Sequence, residues 1–251
     1  VASRGLGDVY KRQVKNHFHI SLTLGLLWLG SLPLLGQSFC DSAFQVSNAS
    51  GFGQDAVAQA THSSLAYNPV ADEFLVVWQQ ISTADDGFEI YGQRVDAANE
   101  TLLGNPFRIS RADTAFDDNN EAALPAIAFS PDAGVYLVCW QDDRLQNSHE
   151  EIFAQFISAN GTLLDTVIRI SNTLDFGSAN EALTPAIIYN AANEEFLIVW
   201  SDNRFESGTP ESDIMGRLLD ANSRTFASSE FRISFTSDAG NSRDALSLIH
   251  I

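Results

Sequence analysis

Short apolar runs alternate with polar turns along most of this chain, and each run has the pattern of a strand. Pro125-Ala126-Ile127-Ala128-Phe129 is closed by Ser130-Pro131-Asp132-Ala133-Gly134, whose Pro, Asp and Gly favour a turn. Val135-Tyr136-Leu137-Val138-Cys139-Trp140 follows. Side chains alternate along a strand, so Tyr136, Val138 and Trp140 share one face and Val135, Leu137 and Cys139 the other. Both faces are apolar, so the strand must be covered on both. A third run is Glu151-Ile152-Phe153-Ala154-Gln155-Phe156-Ile157. The fourth, Val167-Ile168-Arg169-Ile170, comes after the hairpin-type turn Asn160-Gly161.

This group of four runs recurs. Trp78, Trp140 and Trp200 lie 62 and 60 residues apart, and Ile90, Ile152 and Ile214 lie 62 and 62 apart. Val46-Ser47, Ile109-Ser110, Ile170-Ser171 and Ile233-Ser234 are spaced at 63, 61 and 63. Independent markers sharing one period define a repeat. The aromatic face recurs as Phe74-Val76-Trp78 and Phe196-Ile198-Trp200, and Gly92, Ala154 and Gly216 hold one position in the third run. A small residue there lets a neighbour approach closely. Four antiparallel strands per period, stacked radially, make a propeller blade. Tandem sandwiches need more strands per unit, and solenoid coils are typically shorter. The expectation is an all-β chain: a β-propeller fragment of about three four-stranded blades of about 62 residues, plus an N-terminal outer strand, in an open arc. Phe44-Gln45-Val46-Ser47 supplies that strand, since it matches Phe107-Arg108-Ile109-Ser110 and Phe231-Arg232-Ile233-Ser234.

Ser130-Pro131-Asp132, then Trp140-Gln141-Asp142-Asp143-Arg144 and Glu151-Ile152-Phe153, resemble the repeats of TolB-type propellers. The third copy carries Trp200-Ser201-Asp202-Asn203-Arg204 and Asp213-Ile214-Met215. The first copy departs, with Gln79-Gln80-Ile81-Ser82 in place of the acid and arginine, and the period is longer than in that family. The resemblance implies a propeller and implies no activity, because propellers host many functions.

Ahead of the repeats, Lys15-Asn16-His17-Phe18-His19 leads into the apolar run Ile20 to Leu35 and then Gly36-Gln37-Ser38. A basic start, a short apolar run and small residues predict a secretory signal, too short for a typical spanning helix. The protein is therefore expected to be exported (periplasmic, cell-surface or extracellular), with no stable membrane span after cleavage. Residues 1–13 and 246–251 resemble translated sequencing adapter, as at the ends of assembled environmental reads. The expected organisation is an adapter-like tail at 1–13, a signal peptide at 14–38, blades over 39–245 and a second tail at 246–251. Within the blades the repeats fall at about 48–110, 111–171 and 172–234, with a fourth starting at 235–245. A formal charge of −18 argues against nucleic acid as a partner, which needs a basic footprint. Two cysteines imply no disulfide framework, and Cys139 reads as a small core residue.

Acids gather in the loops after the second and fourth strand of each repeat, which leave an up-and-down blade on one side. Long loops on one side of a rigid scaffold are where binding usually resides. The candidate binding residues there are Asp117, Asp118, Glu121, Asp142, Arg144, Glu181, Asp202 and Arg204. Asp142 with Arg144, and Asp202 with Arg204, stand two apart at a strand end and point the same way, as an ion pair would. Arg108, Arg169 and Arg232 read as solvent-facing or as bridges between blades. No nucleophile elbow, HExxH, P-loop or dinucleotide glycine pattern occurs. No cofactor is expected, although Asp117-Asp118-Asn119 with Glu121 would offer oxygen ligands to calcium without EF-hand spacing. Repeated acids without a catalytic motif point to an exported binding or scaffold module whose ligand is an unknown protein or glycan. The alternative is a secreted carbohydrate-active hydrolase. Hydrolysis needs a pair of carboxylates that breaks the blade symmetry, and the asymmetric candidates are Asp117, Asp118, His62 and His149.

Overall fold

A computed structural model describes residues 43–47, 59–81, 87–110, 121–146, 149–177, 180–205 and 212–234. All but Ala43 belong to one compact unit, Phe44–Ile251. The expected signal segment, both tails and the start of a fourth repeat lie outside the described residues. Among the described residues, no helix is long and apolar enough to cross a membrane.

The first blade comprises β1 (Ala60–Asn68), β2 (Glu73–Ile81), β3 (Phe88–Asp96) and β4 (Thr101–Arg108). The second comprises β5 (Ala122–Ser130), β6 (Val135–Asp142), β7 (Glu151–Ser158) and β8 (Leu163–Arg169). The third comprises β9 (Ala182–Asn190), β10 (Glu195–Asp202), β11 (Asp213–Asp220) and the short β12 (Phe231–Arg232). Every blade is an antiparallel sheet whose strands pair in chain order. First strands pack on one another, β1 on β5 and β5 on β9, so they stand innermost and the fourth strands outermost. These are three blades of a β-propeller in an open arc.

The two faces of each second strand meet different neighbours. Tyr136, Val138 and Trp140 pack back onto Leu75, Val77 and Ile109 of the first blade. Leu137 and Cys139 pack forward with Phe196, Ile198 and Trp200 of the third. Each junction thus joins an aliphatic face to an aromatic one. Trp140 and Trp200 are fully buried, and Cys139 is a buried free thiol inside this packing. Phe44–Ser47 has no strand partner among the described residues. Instead, Val46 and Ser47 line a cavity of about 280 Å³ with Ala60, His62, Val76 and Trp78.

The small position in the third strand has a matching partner. Gly92 pairs with Phe107 and Gly216 with Phe231, whereas Ala154 pairs with Ile168. A Cβ on Gly92 would lie 2.9 Å from Ile109 Cδ1 and 3.2 Å from the Phe107 ring. Glycine thus stands opposite a fourth-strand ring in two blades, and alanine opposite a branched aliphatic in the third. Gly92→Ala is expected to cost about 1–3 kcal/mol through overpacking. Adding Phe107→Ile should return most of that in urea unfolding. Equal losses in the single and double variants would refute the pairing.

Inner strands carry a bulge where the register shifts, after Thr61 and after Ala123. There His62, Leu124 and Thr184 hold φ of 50°, 52° and 50°, a left-handed conformation that side chains rarely adopt. The strained peptide is clasped from the preceding blade. Leu124 N donates to Gln79 Oε1 at 2.9 Å, and Thr184 N to Gln141 Oε1 at 3.1 Å. The first strand runs over Ala122–Ser130, continuing through the bulge beyond the predicted Pro125–Phe129.

Candidate functional site

The side of the arc that carries the long loops is shaped by two clasps per blade. In the first, Trp140 Nε1 donates to Asp142 Oδ2 at 2.8 Å, while Arg144 reaches both carboxylate oxygens at 2.9 and 2.5 Å. The Arg144 guanidinium lies 4.6 Å from the Phe153 ring centre, a cation–π contact. Trp200, Asp202 and Arg204 repeat the arrangement, and Arg204 also pairs with Glu230 at 2.5 Å. In the first blade Gln80 takes the place of the acid and accepts from Trp78 Nε1 at 3.0 Å. Asp142 and Asp202 are buried, with their oxygens engaged inside the blade. Both predicted ion pairs form, with their acids buried inside the blade.

In the second clasp an acid at the start of the third strand meets the serine and arginine that end the fourth. Glu89 bonds Ser110 and Arg108, Glu151 bonds Ser171 and Arg169, and Arg232 pairs with Asp213. Ser110 Oγ and Ser171 Oγ accept from Ile90 N and Ile152 N, at 2.7 and 2.8 Å. The recurring Ile-Ser pair is a strand latch. Arg108, Arg169 and Arg232 were expected to face solvent or bridge blades. They pair within their own blade instead, because antiparallel register sets each across from the acid two residues before its partner position.

Glu121 and Glu181 stand just ahead of the inner strands at equivalent places. Glu121 N donates to Asp143 Oδ1 at 2.7 Å, and Glu181 N to Asn203 Oδ1 at 2.7 Å. Glu150 enters from the second blade, its carbonyl accepting from Ala182 N at 2.8 Å across the junction. Glu150 is thereby within electrostatic reach of Glu181 and Asp143, and Glu121 within reach of Asp143. Burial raises the Glu150 carboxyl above its ordinary value, and the nearby charges of Glu181 and Asp143 raise it further. Burial, followed by Asp143, likewise raises Glu121. His149 lies beside Glu150, and its Nδ1 is buried with no hydrogen-bond partner among the described residues.

Of the predicted residues, Glu121 and Glu181 fall among these acids, and Asp142, Arg144, Asp202 and Arg204 fall in the tryptophan clasps. Asp117, Asp118 and the calcium set built on them lie outside the described residues. Among the described residues, no three His, Cys, Asp or Glu side chains are grouped to hold a metal ion. Glu150 is not among the candidates that the sequence reading singles out. A signal was present in the repeat: Phe88 and Ser212 stand at its position in the sister blades, so Glu150 breaks the symmetry, as His149 does against Gly87 and Glu211.

No family model and no curated protein matches the chain. Among solved structures it is similar to the GH93 α-L-arabinofuranosidase of Fusarium graminearum in complex with arabinobiose, at 12% identity and TM-score 0.48, covering 68% of this chain and 50% of that one. It is similar to a thermostable family-43 glycoside hydrolase at 12% identity and TM-score 0.47, covering 76% and 63%. A third is the β-propeller domain of the trilobed protease from Pyrococcus furiosus, at 14% identity and TM-score 0.38, covering 74% and 47%. The chain spans about half the length of the first and third of these structures.

Proposed function

We propose that the protein is a carbohydrate-active propeller, a hydrolase that takes a glycan on its long-loop side with Glu150 as the acid. One observation carries this: a partly buried carboxyl, raised by burial and by two neighbouring carboxylates, at a position where the blade symmetry breaks. Glycoside hydrolysis uses two carboxyl groups whose surroundings separate their proton affinities. Glu150, kept protonated longer than an ordinary glutamate, donates its proton to the glycosidic oxygen as the C–O bond breaks. Glu181, across the junction, takes a proton from the attacking water. Export by the Lys15–Ser38 segment belongs to the same proposal, since it delivers the protein to extracellular glycans.

The test is a panel of p-nitrophenyl glycosides, the α-L-arabinofuranoside included. Glu150→Gln should lower kcat by about 10²–10⁴-fold on any substrate turned over, the usual worth of a general acid. Absence of turnover across the panel would overturn the hydrolase. Binding without turnover is the second reading. It is favoured by the symmetric placement of Glu121 and Glu181, each with its N–H clasped by a side chain of its own blade. A glycan array on the same protein decides that case.

A further inference from the structure

The junction between the first and second blades holds a cavity of about 560 Å³, lined by Ile109 of the first blade and by Arg144, Gln155, Leu163, Asp165 and Val167 of the second. At the next junction, charged side chains stand at the same places. Gln155 and Arg217 are equivalent, since they pair with Val138 and Ile198. Val167 and Glu230 are equivalent too, each preceding the residue opposite Ala154 or Gly216. Arg217 Nη1 donates at 2.8 Å to the carbonyl of Ile170, the counterpart of Ile109. Glu230 Oε2 caps Arg204 Nη1 at 2.5 Å, and its Oε1 lies 3.8 Å from Arg217 Nη1. The second blade lacks both charges. Its Gln155 amide is turned to the Phe156 and Leu164 carbonyls, and Val167 offers no carboxylate. Arg144 spends Nε and Nη2 on Asp142, and its Nη1 has no partner among the described residues. Its side chain is 16% exposed, against 3% for the capped Arg204. The Ile109 carbonyl likewise accepts no hydrogen bond among the described residues.

We propose that this cavity binds a free amino acid with an aliphatic side chain, its carboxylate on Arg144 Nη1 and its ammonium on the Ile109 carbonyl. The third blade supplies the pattern. One cation and one anion disappear together from the second blade, so the group that takes their place must carry both charges on adjacent atoms. The separation of Arg217 Nη1 from Glu230 Oε1 is one that the amine and carboxylate of a single amino acid can span. A guanidinium N–H aimed at a carboxylate gives a charge-assisted hydrogen bond, stronger than a neutral one. Leu163, Val167 and Ile109 supply an apolar wall for the side chain. Asp165 is already paired with Arg224 at 2.5 Å, so its charge opposes the incoming carboxylate little. The cavity is of the size that small-molecule sites have. It is separate from the Glu150 site and does not depend on a glycan being the substrate there.

Isothermal titration calorimetry of the chain with L-leucine tests this, beside isocaproate, which lacks the amine, and isoamylamine, which lacks the carboxylate. Leucine should bind, and each fragment should bind at least about tenfold more weakly for want of one charged contact. Gln155→Arg/Val167→Glu installs the third blade's own pair of side chains. That variant should keep the parent's circular dichroism and lose leucine binding. If it does not fold, Val167→Glu alone carries the test, because its carboxylate takes the place of the ligand's on Arg144 and should also abolish binding. A parent that does not bind leucine would overturn the proposal. So would fragments that bind as tightly as leucine, or leucine binding that survives these substitutions.

Discussion

Truncating Trp140 or Trp200 to alanine is expected to lower stability by about 3–5 kcal/mol, among the largest losses available to this chain. Both indoles are fully buried at blade junctions, with second-strand neighbours on one side and the preceding blade on the other. Close packing on both sides prevents the site from collapsing, so the cavity persists. Truncation also strips the indole N–H from Asp142 or Asp202, leaving a buried carboxylate oxygen short of a donor. Trp140→Phe keeps one ring, so it loses the donor with a smaller cavity than alanine leaves, and should cost less than Trp140→Ala. Trp78→Ala should cost less, because among the described residues only Val46 and Ser47, and no full blade, lie against its face. Urea unfolding monitored by circular dichroism measures all four. Losses below about 1 kcal/mol at both Trp140 and Trp200 would contradict the two-sided packing.

Removing Glu151 should be comparably severe. Its buried carboxylate accepts from Arg169 Nη2 at 2.6 Å, Thr173 N and Oγ1 at 2.8 Å each, and Leu174 N at 2.9 Å, besides Ser171. Glu151→Ala strands a guanidinium and several donors, an expected loss of about 3–5 kcal/mol. The pH dependence follows from the same contacts. Burial by itself would raise this carboxyl, but Ser171, the Leu174 N–H, Arg169 and Thr173 together hold it below the ordinary value. The folded state therefore releases the proton more readily than the unfolded chain. Its stabilisation is complete above the ordinary glutamate value and is lost as pH falls through the lower, folded value.

Glu89, at the same place in the first blade, has the opposite sign. Burial raises it more than Ser110 and Arg108 lower it. Its contribution is complete below the ordinary value and fades as pH rises through the higher, folded value. Denaturant titrations across this range should therefore show the acid limb flattened by Glu151→Gln. The decline above the ordinary value should flatten in Glu89→Gln. The same pH profile in both variants would contradict the assignment.

Much of this architecture is legible in the residues themselves. The 62-residue spacing of tryptophans and Ile-Ser pairs marks the blades, and alternation along Val135–Trp140 separates the two faces that meet neighbouring blades. Asp142 and Arg144 read as an ion pair because side chains two apart on a strand share a side, a local rule that needs no tertiary partner. Local rules go no further. The second strand clasp joins Glu151 to Ser171, twenty positions on, and only register brings those atoms together.

Glu150 shows the boundary most plainly. Its sequence neighbours are His149 and Glu151, yet the carboxylate that most raises it is Glu181, which belongs to the next blade. Period and alternation follow from covalent geometry, because a strand turns its side chains over every residue and a repeat preserves length. Which acids are spent inside a clasp, and which are left to act on each other, depends on packing one blade against another. Burial and charge proximity are properties of that packing, and only the tertiary structure decided them.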